Sequence, residues 1–99
     1  MMGANGVRGE VLVELGGARR RLCLTLGALA EMETGLGASG IEALGERMKA
    51  LSAGDLLVVL AALLRGGGEA EFAAGLAGAR VDLKEAAGGV VRAFEAAAL

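Results

Sequence analysis

Val11, Val13 and Leu15 alternate with Glu10, Leu12 and Glu14, and beyond Gly16-Gly17 the apolar Leu22 and Leu24 alternate with Arg21, Cys23 and Thr25. An apolar period of two is that of a half-buried strand. Paired glycines between two such runs supply turn chemistry. Residues 9–25 therefore predict an antiparallel β-hairpin. Side-chain pairing argues for a four-residue loop, Gly16 to Arg19. That loop sets Val13 opposite Leu22, Val11 opposite Leu24 and Glu14 opposite Arg21, pairs worth about 0.2–1 kcal/mol each. A two-residue turn would set Val13 opposite Arg20. Residues 1–8, small and polar, are expected to form a flexible N-terminus.

Past Thr25 the period turns helical. Leu26, Leu29, Met32 and Leu36 make one stripe, which Gly35 and Gly37 are expected to end. Ser39 precedes Glu42 at the capping-box spacing and predicts the next helix, striped by Ile41, Leu44, Met48 and Leu51. Ser52 and Asp55 repeat the start signal. The helix "AGDLLVVLAALLR" is apolar on nearly every side, which predicts the most buried element. Gly66-Gly67-Gly68 stops it. A weaker short helix, "EAEFAAGLAGA", carries Phe72 and Leu76. Asp82 and Glu85 open the last helix, with Leu83, Ala87, Val90, Val91, Phe94 and Ala98 expected on its inner side. Gly88-Gly89 in its interior predicts a kink or a close backbone contact. The sum is an α+β fold: an N-terminal antiparallel β-hairpin followed by a bundle of four to five short helices. Residues 9–99 read as one domain, hairpin 9–25 and helical part 26–99.

Composition narrows the chemistry. The 99 residues are 55% hydrophobic with two phenylalanines as the only aromatics, so the core is aliphatic. A net charge of −2 argues against a nucleic-acid binder, which shows a clustered basic face. The one dense basic run, Arg19-Arg20-Arg21, reads as a solvated hairpin edge. The longest apolar run, Leu56 to Leu64, is far short of the about twenty residues a membrane span needs. No nucleic acid or membrane partner is expected, and a single cysteine fits a reducing cytoplasm.

Residues 35–40, "GLGASG", satisfy the G-x-G-x-x-G spacing of a dinucleotide loop. That loop needs a strand before it and a βαβ unit around it. Here a helical stripe runs into Gly35, so the glycines read as a joint between helices and no cofactor is expected. There is no histidine, so Cys23 has no Cys–His activation. Glu31/Glu33 and Glu69/Glu71 stand two apart and face different ways on a helix. Nothing has metal-ligand spacing. The chain is expected not to be an enzyme.

The stretch "RGEVLVELGGARRRLCLTLGALAEMETGLGASGIEALGERM" resembles the small tail protein family of gene transfer agents and phages, whose members are described in turn as tail tube protein and as tail assembly chaperone. The resembling pieces are Arg8-Gly9-Glu10, "LTLGALAEMETGLG" from Leu24 to Gly37, and "LSAGDLLVVLAALLRGGG" from Leu51 to Gly68. The likeness weakens beyond residue 68. It implies a role in building a tail, with a tape-measure protein or a tail tube protein as partner and a homo-oligomer as a further option. Two short strands do not supply the sheet of a tube ring, which favours the assembly chaperone over a structural tail subunit. A chaperone would hold an amphipathic helix in an apolar groove. Leu36, Ile41, Met48 and Leu51 are the candidate partner-binding residues. An open hairpin edge is a second candidate surface.

Overall fold

The computed structural model describes residues 9–97, so the readings of residues 1–8 and of Ala98 lie outside the described residues. Strands β1 (Glu10–Leu15) and β2 (Ala18–Cys23) form the hairpin. Helices α1 (Leu26–Leu36), α2 (Ile41–Met48), α3 (Ala53–Gly66), α4 (Ala70–Ala74) and α5 (Leu83–Ala97) follow, with a 3-10 turn at Leu76–Gly78 before α5. The arrangement is α+β, as the periodicity predicts.

The hairpin register differs from the expected one. Val11 faces Leu22, Val13 faces Arg20 and Glu14 faces Arg19, so the loop is two residues, Gly16-Gly17. Both glycines have positive φ, 62° and 83°, as the type I′ turn that matches strand twist requires. Turn geometry sets the register, and the core face tolerates Arg20 because its charge is satisfied locally. Its guanidinium lies 4.0 Å from the centre of the Phe72 ring, and its Nε donates to the Leu15 carbonyl at 3.2 Å. The arginine run is thus not simply a solvated edge: Arg20 is packed, and Arg20 and Arg21 both approach Glu69.

Helix α3 is the central element. Val59, Leu60, Ala62, Leu63 and Leu64 are buried on it, against α1, β2, α4 and α5. Ser52 and Asp55 form the expected capping box at its start. Its glycine end does more than stop the helix. A Cβ on Gly66 or Gly67 would run into the carbonyl oxygens of Cys23 or Arg21, so β2 lies directly against the helix end.

Three helix readings need correction. Leu26 is 83% exposed, because the buried row of α1 is Ala28, Met32 and Leu36. Gly35 does not end α1 but packs inside it against Val58, and Gly37 alone is the left-handed cap. Ser39 does not cap α2. Gly40 holds that position, and its N–H donates to the Glu33 carboxylate at 2.6 Å.

On α5 the inner row is Ala86, Gly89, Val90 and Ala93, while Leu83 and Val91 are 72% and 55% exposed and Ala87 is exposed. The small row wins because Val13 and Leu22 of the hairpin already fill the space. A Cβ on Gly89 would sit 2.9 Å from Val13 and 3.1 Å from Leu22. The glycine pair is therefore a close contact at Gly89.

Candidate partner-binding groove

The large row of α5 is left over once the small row is buried, and it helps to form a groove. Val91, Phe94 and Ala97 of α5 make one wall. Ile41, Leu44, Gly45 and Met48 of α2 make the other, and Leu24 and Leu29 the floor. The hollow has a volume of about 530 Å³, and every lining residue is apolar or glycine. Ile41 is 76% exposed, an unusual state for a large aliphatic side chain in a chain with a full core.

A polar clamp fixes the α2 wall. Arg47 Nη1 donates to the Leu36 carbonyl at the end of α1, at 2.6 Å. Its Nε and Nη2 donate to both carboxylate oxygens of Asp55 at 3.1 and 3.0 Å. One guanidinium thus joins the end of α1, the last turn of α2 and the cap of α3. The bidentate bond from Arg47, with the Ser52 N–H, holds the Asp55 carboxyl below the usual carboxylate range. With Arg47 turned to this side, α2 presents Ile41, Gly45 and Met48 to the groove.

Of the four candidate residues, Ile41 and Met48 line the groove together. Leu36 is buried in the core, and Leu51 packs half-buried against it after α2 has ended. Sequence reasoning did not name Leu24, Leu29, Leu44, Val91 or Phe94 as groove residues. The readable signal was on α5, which carries two apolar rows where a core needs one.

The other groups that the sequence singled out are held locally. Glu31 pairs with Arg65 at 2.7 Å, and Glu33 is bound to the Gly40 N–H. Burial pushes the Cys23 thiol up from its ordinary pKa, with Glu10 adding to the shift. Among the described residues no group of three or more metal-ligating side chains assembles, and no helix is long and apolar enough to cross a membrane.

The hairpin edges are partly covered. On β1, Arg92 Nη2 donates to the Leu12 carbonyl at 2.9 Å, and the Glu14 N–H donates to Glu85 at 3.3 Å. On β2, the Arg21 N–H donates to Glu69 at 3.0 Å, and the Cys23 and Arg21 carbonyls lie against Gly66 and Gly67. The candidate edge surface is thus partly occupied: side chains of α5, Glu69 and the glycine end of α3 lie along its two sides.

Fold and groove define a small α+β module with an open apolar groove between α2 and α5. Residues 8–99 match the family model described as "phage tail tube protein, GTA-gp10", and the chain belongs to that family. It is a tail protein of the phage and gene-transfer-agent type. No curated protein and no solved structure matches it.

Proposed function

We propose that this tail protein is a non-enzymatic assembly chaperone, which holds an apolar helical segment of the tape-measure protein in the α2–α5 groove while the tail is built. The observation that carries this reading is the pairing of an open groove lined by apolar side chains with partly covered sheet edges. A tape measure is long and apolar, and until it is enclosed it needs a partner that covers its helices. A groove walled by Ile41, Met48, Val91 and Phe94 has the helix-in-groove form of recognition, with an adaptable methionine. Assembly would take place in the cytoplasm. No catalytic step is assigned: the chain has no histidine, and its one thiol is buried.

The second reading, a tail tube subunit, is favoured by the description of the family. Against it stand the two-stranded sheet and its partly covered edges, since a tube ring grows by strand pairing between neighbours. Co-expression with the tape-measure protein separates the two. The wild-type chain should keep the tape measure in the soluble fraction, and the variant Ile41→Asp/Val91→Asp should lose that ability. Mass spectrometry of purified particles should find the chain absent or far below ring stoichiometry. Abundance equal to that of the major tail protein would establish the tube reading instead.

A further inference from the structure

The groove has no polar side chain to orient a small molecule, which ordinary ligand pockets supply. Its specificity must come from shape and from the charges on its rim. On a helix, residues three or four apart are surface neighbours. Glu42 therefore borders Gly45 on the α2 side, and Glu95 borders Val91 on the α5 side. Both are exposed. Among the described residues neither makes an ion pair or hydrogen bond. The nearby cations are engaged elsewhere: Lys49 with Glu46 at 3.1 Å, and Arg92 with the Leu12 carbonyl. Among the described residues, one carboxylate that forms no ion pair thus stands on each side of an apolar floor.

We infer that the groove selects an amphipathic helix whose apolar stripe is flanked by lysine or arginine. This rests on the chaperone reading and adds the chemistry of the segment recognised. Opposite charges on the two rims hold a basic-flanked helix in register and repel an acidic one. The same carboxylates disfavour two alternatives: a second copy would bring a like-charged rim against this one, and an anionic lipid surface would be repelled.

The test uses the full chain and two synthetic helical peptides with the same leucine and isoleucine stripe, one flanked by lysines and one by glutamates. Fluorescence anisotropy should show the lysine-flanked peptide binding about three- to tenfold tighter at low salt, the scale of a few exposed ion pairs. The gap should close as salt approaches about 0.5 M. The surface variant Glu42→Lys/Glu95→Lys should reverse the order. Equal binding of both peptides at low salt, or an unchanged order in the charge variant, overturns the inference and leaves the groove reading standing. Binding of neither peptide removes both.

Discussion

Arg47 is the residue on which the groove geometry turns. Its guanidinium satisfies a helix-end carbonyl and a carboxylate at once. The depressed pKa of Asp55 has a definite sign. Its folded value lies below its unfolded value, so its stabilisation is present above the unfolded pKa of about 3.9. It is lost as pH falls through the lower folded value. Asp55→Asn should therefore lower the melting temperature at neutral pH and flatten its acid dependence. Thermal melts by circular dichroism from about pH 6 down to pH 2 would check this. A slope equal to that of the wild type would show that Arg47 and Asp55 are not coupled in solution.

Among the elements, the contact between the end of α3 and β2 is the tightest. Gly66→Ala gains the helix preference of alanine, less than about 1 kcal/mol, but drives a methyl into the backbone of Cys23. Overpacking of this kind costs about 1–3 kcal/mol, so the net effect should be destabilising in urea denaturation. The hairpin offers a second measurement. Arg20→Ala removes a cation–π contact and the cover over Phe72, and should cost about 0.5–2 kcal/mol. The lesson of the register belongs here. Pairing apolar residues across the strands favoured a four-residue loop, whereas two positive-φ glycines and one well-placed arginine decided for two.

For the molecule as a whole, the most exposed groove residues stand apart from the core. Ile41 and Val91 are exposed, while Leu44, Met32 and Val90 are buried in the core. Ile41→Asp/Val91→Asp should leave the melting temperature within a few degrees of the wild type, since substitutions of exposed residues are usually within about 0.5 kcal/mol. Loss of tape-measure solubilisation by a variant that melts normally would separate binding from folding. A collapse of the melting temperature would instead mean that these residues belong to the core.

The sequence by itself determined the element order, the central place of α3, the caps at Ser52 and Asp82, and the helical joint at residues 35–40. These are local matters of period, turn chemistry and short-range hydrogen bonds, all written in neighbouring residues. Tertiary structure alone decided which row of α5 is buried, that Leu36 goes inward while Ile41 stays out, and that each hairpin edge is partly covered. Periodicity shows that a helix has an apolar face. Which of two faces meets the core depends on how closely backbones can approach, and here a single glycine against Val13 and Leu22 settles it.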